Sequence, residues 1–276
     1  MKSLRSRVLN GETLLGCFLN LGSSLTAEIV GQSGFDWVLV DLEHGAGFES
    51  NLLHQLQALE HTSAAAIVRI EANERQRFHR VLDLGAHGIM VPRVDNPEQA
   101  RAAVAALRYP PAGIRGVSKM NRAHGFGKQP ASYNQYANDH VLGVVQIESE
   151  ESLQHLDAIA AIDGVDVLFV GPGDLSQSLG VPSEFDHPRF QEALCATATA
   201  AKIHGKAAGT LLGQPEDAAH FCRLGYRFLA CSSDGALIYR GAQSLISSLR
   251  AALPMLADGR PHWHSRLTSP TVSASK

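Results

Sequence analysis

Short apolar runs alternate with segments whose apolar residues recur at three- and four-residue spacing along most of the chain. The short runs read as strands: Leu14–Leu21, Trp37–Leu42, Ala65–Ile70, Gly88–Val94, Val141–Ile147, Val165–Val170, Ala207–Leu212 and Arg227–Ser232. The helix-period segments between and after them are Leu52–Leu59, Arg75–Leu84, Pro97–Leu107, Leu153–Ile162, Phe190–Ile203, Glu216–Leu224 and Ile238–Leu249. Alternation repeated about eight times predicts parallel strands joined by helical crossovers. A closed (β/α)8 TIM barrel and an open doubly wound sheet both satisfy it. The barrel is the better match, because charged residues follow many different strands and do not gather at one switch point. No Gly-x-Gly-x-x-Gly follows the first strand and no Walker loop is present, so nucleotide-binding folds lose their main support.

The pattern predicts one barrel domain over residues 1–257. From Asp258 to Lys276 the chain is polar, rich in Ser, Thr and Pro, and reads as a disordered tail without a catalytic role. The irregular stretch Tyr109–His140 holds Pro110, Pro111, Gly113, Gly116 and Pro130, and its length marks it as functional or as an interface element.

Composition narrows the function classes. The 276 residues are 45% hydrophobic and 18% charged, which supplies the core of one large α/β domain. A net charge of −3 offers no basic field for nucleic acid. No apolar run approaches the ~20 residues that span a bilayer. Asn10, Gly11 and Glu12 interrupt the apolar stretch a signal peptide would need. Cys17, Cys195, Cys222 and Cys231 form no Cys-x-x-Cys pair and read as reduced thiols. A cytoplasmic protein without membrane or nucleic-acid partners is expected.

Barrel chemistry sits at the C-terminal strand ends, and here those ends are polar. The second leads into Asp41-Leu42-Glu43-His44-Gly45, the third ends at Arg69, the fifth in Gln146-Ile147-Glu148, the sixth in Gly171-Pro172-Gly173-Asp174. Gln146 and Glu148, two apart, share a face. Glu148 admits two readings, an ion pair with Arg69 or a metal ligand. Asp174 likewise is a helix cap or the second ligand. Carboxylates on neighbouring strands suit a hard dication such as Mg2+ or Mn2+ and leave coordination positions open for substrate. The glycine-rich turn before Asp174 suits an anion such as a substrate carboxylate. His44 offers an imidazole, a group whose ordinary titration range suits proton transfer. Arg69 is either a buried ion-pair partner or a cation able to stabilise a developing enolate oxygen. Asp83, before the fourth strand, lies at the wrong end of the barrel for catalysis in its own chain.

The strings from Phe35 to Gly45, Ile67-Val68-Arg69, Leu84 to Pro92, Tyr109 to Gly116, Gln146-Ile147-Glu148 and Val170 to Ser176, in this order, resemble the HpcH/HpaI family of class II, metal-dependent pyruvate aldolases. The resemblance spans roughly residues 10 to 250. It implies a (β/α)8 barrel assembled as a homo-hexamer, a trimer of dimers. It also implies reversible cleavage of a 4-hydroxy-2-oxo acid to pyruvate, or hydroxypyruvate, and an aldehyde. By the resemblance, Glu148 and Asp174 hold Mg2+, Mn2+ or Co2+; Arg69 stabilises the enolate; His44 moves the proton; and Asp83 of an adjacent subunit pairs with that histidine. Gln146, Gly173, Asp174 and Leu211 are the expected substrate contacts. Two positions depart from the family pattern: Gly173 replaces a common alanine, and Phe18 stands where some relatives carry tryptophan. The rivals are a class I aldolase using Lys206, Lys119 or Lys128, a malyl-CoA or citramalyl-CoA lyase-like enzyme, and an inactive oxo-acid-binding homologue.

Overall fold

The computed structural model describes residues 3–253. The expected domain end at 257 and the tail 258–276 lie outside the described residues. Chain contacts divide the protein into a unit ending at Asp234 and a second beginning at Gly235. The first unit is a closed barrel of parallel strands paired in sequence order, with the eighth returning to the first. The strands are β1 (Leu14–Leu19), β2 (Trp37–Asp41), β3 (Ala65–Arg69), β4 (Gly88–Val91), β5 (Leu142–Ile147), β6 (Val167–Val170), β7 (Ala207–Leu212) and β8 (Tyr226–Ser233). This is the predicted TIM-barrel architecture.

The barrel follows from period-two alternation carried by strands buried on both faces. On β2, Trp37 and Leu39 join the inner cluster, while Val38 and Val40 pack outward against helices. Ile67 on β3, Leu142 and Val144 on β5, and Phe169 on β6 fill the same interior. Trp37 stacks on Phe228 with ring centroids 4.0 Å apart. Gly16 makes room for it, since a Cβ there would lie 2.2 Å from the indole. Continuing the alternation past the apolar layers puts Asp41, Arg69, Gln146 and Glu148 in the inward phase at the barrel mouth.

Helices α1 (Leu4–Leu9), α2 (Ser24–Gln32), α3 (Glu49–Leu59), α4 (Arg75–Asp83), α5 (Pro97–Leu107), α6 (Tyr133–His140), α7 (Glu150–Gln154), α8 (Leu156–Ala160), α9 (Pro172–Ser178), α10 (Pro188–Ile203) and α11 (Ala218–Leu224) complete this unit. Leu4 and Val8 of α1 enter the inner cluster. Arg5 ties α1 to Asp166 just before β6, its Nε 3.0 Å from each carboxylate oxygen. The stretch expected as one helix over Leu153–Ile162 is broken at His155 into α7 and α8. The irregular stretch after α5 ends in α6. Asn138 of α6 anchors it by accepting from Tyr109 N at 2.7 Å and donating to Tyr109 O at 3.1 Å. The second unit takes up after the first residue of α12 (Asp234–Ala252), an amphipathic helix. Among the described residues, no helix is long and apolar enough to cross a membrane.

Candidate active site

Asp41 ends β2 directly opposite Arg69 at the end of β3. Arg69 grips it with both arms of its fork, Nε to Oδ1 at 2.9 Å and Nη2 to Oδ2 at 2.7 Å. Asp41 Oδ1 also accepts the backbone N–H groups of Glu43 at 3.1 Å and His44 at 3.3 Å, which sets the turn that leaves β2. The third guanidinium nitrogen, Nη1, faces Glu43 Oε2 at 3.0 Å and donates to Gln146 Oε1 at 3.5 Å. Phe18 lies beneath, with Cζ 5.5 Å from its ring centroid. Arg69 is therefore held in one orientation from three sides, a buried cation fixed before any substrate arrives. Burial pushes the Glu43 carboxyl above its usual range, with Arg69 and then His44 acting the other way.

Glu148 continues the inward phase of β5 and is only 6% exposed. Its Oε2 accepts Gln146 Nε2 at 2.7 Å, and its Oε1 accepts the Arg93 backbone N–H at 2.7 Å. Arg93 adopts a left-handed backbone with φ of 48° to present that amide, a conformation costly for a residue with a Cβ. Burial raises the Glu148 pKa to about 7. The Arg93 N–H opposes this, while the charges of Asp174 and Glu43 add to it. Gly171 packs directly against the carboxylate, and a Cβ there would fall 2.6 Å from Glu148 Oε2. The ion pair between Glu148 and Arg69, one of the two readings of the sequence, is not formed. Arg69 pairs with Asp41 and Glu43, and Gln146 stands between it and Glu148.

Asp174 lies in the first turn of α9, where Gly171 holds the N-cap position, so Asp174 is not the cap. It is exposed, and its charge reaches Glu148. The first intrahelical bond runs from Leu175 N to Gly171 O at 3.0 Å, so the amides of Gly173 and Asp174 precede it. A Cβ on Gly173 would meet nothing within 4 Å, so an alanine would fit there too. Leu211 on β7 packs against the inner cluster. The His44 imidazole is 66% exposed, with Nε2 3.7 Å from Glu43 Oε2. Asp83 is not brought to the mouth of its own chain. It ends α4, paired at 3.0 Å with the buried Arg115, which itself lies 4.3 Å over the Tyr109 ring. Lys206 starts the turn into β7 at the far end of the barrel and donates to Ile162 O at 3.2 Å, which removes it as a Schiff-base nucleophile at the mouth.

Three contributors went unassigned in the sequence: Asp41 as the clamp on Arg69, Glu43 as its second partner, and the amide of Arg93 as the donor that fixes Glu148. Asp41 had a signal, its phase with Trp37 and Leu39. The Arg93 amide had none, because a backbone donor leaves no mark on residue type.

The carboxylates fit a divalent cation. Glu148 is buried, neighbours two further acids, and has no direct cation partner, so its charge is under-compensated. Each of its oxygens accepts one N–H and retains lone-pair capacity. Among the described residues, no group of three or more His, Cys, Asp or Glu forms a metal site. An ion that takes few protein donors and keeps positions for substrate and water suits such a site.

Residues 14–240 match the HpcH/HpaI aldolase/citrate lyase family. The chain is 43% identical over 236 residues to 2-dehydro-3,6-dideoxy-6-sulfogluconate aldolase of Pseudomonas putida, covering 86% of this chain and 92% of that one. It is 42% identical over 235 residues to the pyruvate aldolase of Rhizobium etli, covering 85% and 92%. The crystal structure of an HpcH/HpaI aldolase/citrate lyase family protein from Burkholderia cenocepacia superposes with a TM-score of 0.87 at 35% identity, over 91% of this chain and 100% of that one. The chain belongs to the HpcH/HpaI aldolase/citrate lyase family and is a carbon–carbon lyase of the class II pyruvate aldolase type.

Proposed function

We propose that the enzyme reversibly cleaves a 4-hydroxy-2-oxo acid of the 2-keto-3-deoxy type into pyruvate and an aldehyde, at a site held by Glu148, Asp174, Arg69 and His44. The observation that carries this reading is the convergence at one barrel mouth of an under-compensated buried carboxylate and an arginine immobilised by Asp41. Glu148 and Asp174 would hold Mg2+, Mn2+ or Co2+, and a bound dication supplies Lewis-acid polarisation of the substrate ketone. Arg69 places its guanidinium where the enolate oxygen gains charge as the C3–C4 bond breaks. Its clamp means little reorganisation is needed at that moment. The amides of Gly173 and Asp174 receive the substrate carboxylate. Gln146 holds Glu148 in place, and Leu211 contributes apolar wall. His44 takes the C4 hydroxyl proton in cleavage and returns it in synthesis. Asp83 of a neighbouring copy orients that imidazole within a homo-hexamer arranged as a trimer of dimers. The four cysteines are free, which suits a reducing compartment, and we place the enzyme in the cytoplasm.

The test is retro-aldol turnover of a 4-hydroxy-2-oxo acid, followed by coupled pyruvate detection. Glu148→Gln, Asp174→Asn and EDTA treatment each abolish pyruvate release while far-ultraviolet circular dichroism is retained. Adding back the dication rescues only the EDTA-treated protein. Undiminished turnover in EDTA would reject the reading.

A further inference from the structure

Beside the mouth, after β2–β4, lies an open cavity of about 580 Å3 that shares Glu43 with the site and is lined also by Glu71, Asn73, Arg93, Glu98 and Gln99. Its three carboxylates are already engaged. Glu43 faces Arg69 at 3.0 Å, Glu71 faces Arg77 at 3.1 Å, and Glu98 pairs with Arg101. Arg93 differs. It is exposed, and its guanidinium makes no ion pair or hydrogen bond among the described residues. Its root is nevertheless fixed, because its own amide holds Glu148 at 2.7 Å from a left-handed backbone. The cavity therefore offers one uncommitted cation, anchored one hydrogen bond away from a site carboxylate.

Strand order sets the direction in which a substrate runs. Asp174 and the first turn of α9 follow β6, Glu148 follows β5, and Arg69 ends β3. An oxo acid with its carboxylate at α9 and its ketone toward Arg69 extends its C4 end away from β6, toward the side where the cavity lies. Resting on the aldolase reading above, we propose that Arg93 is a specificity residue. It binds an anionic group at the far end of the acceptor aldehyde, so the enzyme prefers acceptors that carry a carboxylate, sulfonate or phosphate. A guanidinium presents a planar fork of donors that matches such groups in two-point contact. Asn73 Nδ2 donates to Gln99 O at 3.0 Å and Gln99 Oε1 accepts from Asp95 N at 2.7 Å, which leaves Asn73 Oδ1 as an acceptor and Gln99 Nε2 as a donor for hydroxyls along the way.

The experiment measures aldol addition of pyruvate to matched acceptors with the metal-loaded full chain. The pairs are 4-oxobutanoate against its methyl ester, and glyceraldehyde 3-phosphate against glyceraldehyde. The readout is the ratio of kcat/KM for the anionic member over the neutral member, which cancels any common effect of a substitution on Glu148. In the wild type the ratio exceeds one for at least one pair. In Arg93→Gln that ratio falls at least about fivefold, chiefly through KM for the aldehyde. Arg93→Lys, which keeps the charge, retains more of it than Arg93→Gln. A smaller fall, an equal loss in the lysine variant, or a wild-type ratio at or below one in both pairs overturns the role of Arg93 and leaves the aldolase reading standing. No aldol product from any pair overturns both. A fall with the phosphate pair alone, or with the carboxylate pair alone, supports the role and identifies the anion.

Discussion

Glu148 is held by two donors, yet burial still raises its pKa to about 7 from an ordinary 4.5. The sign of the linkage follows from the direction. A carboxyl raised by folding favours the neutral form in the native state, so its stabilising effect is complete below about pH 4.5 and is lost as pH rises through 7. The shift corresponds to roughly 3 kcal/mol of native-state penalty once the group is charged. A dication that binds the charged, folded form offsets that penalty. In EDTA, the thermal midpoint of the wild type should therefore fall between pH 5.5 and pH 8 more steeply than that of Glu148→Gln. The rise in midpoint on adding Mn2+ should be larger at pH 8 than at pH 5.5. Equal metal-induced rises at the two pH values would mean that the ion does not bind through this carboxylate.

Two strands carry inward glycines for different reasons, and substitution separates barrel packing from site geometry. On β1, Gly16 faces a rigid indole that is itself stacked on Phe228. Gly16→Ala should cost about 1–3 kcal/mol of stability, read as a lower urea midpoint. After β6, Gly171 faces the flexible end of the Glu148 side chain. Gly171→Ala should move that carboxylate and reduce kcat/KM by roughly 10–100-fold, with the urea midpoint nearly unchanged. A common loss of stability in both variants would contradict this division. The same elements show what the sequence could reveal. Strands buried on both faces read as continuous apolar runs, and all eight were legible within a few residues, as was the polar residue closing each inward phase at Asp41, Arg69 and Glu148. Helix α2 was not, because its buried face is Ala27, Val30 and Gly31 while Leu25 and Ile29 are exposed. Helix α6 buries only Ala137 and Asn138, so no apolar period marks it. Helix α1 is a six-residue helix that buries only Leu4 and Val8, with Arg5, Ser6 and Arg7 between them.

At the scale of the whole molecule, one chain leaves His44 short of a partner. Its imidazole is two-thirds exposed, and the nearest carboxylate in its own chain, that of Glu43, already faces Arg69. Asp83 sits at the opposite end of the barrel, its side chain 27% exposed and steadied by Arg115. A residue so placed can serve a mouth only if that mouth belongs to another copy, as closed homo-oligomers allow. Two crippled enzymes should then repair each other. Asp83→Asn keeps an intact Glu148, and Glu148→Gln keeps an intact Asp83. After unfolding and co-refolding equal amounts, about a quarter of sites combine a sound Glu148 with a sound Asp83 from the neighbour, if subunits mix at random. Aldol activity should recover to about that fraction of the wild type, whereas each variant refolded alone stays inactive or nearly so. Recovery must also depend on subunit exchange, so mixing the two variants after separate refolding should give none at first. A co-refolded mixture no more active than the mean of its parents would place Asp83 outside the catalytic arrangement and leave His44 to act on Glu43 and solvent alone.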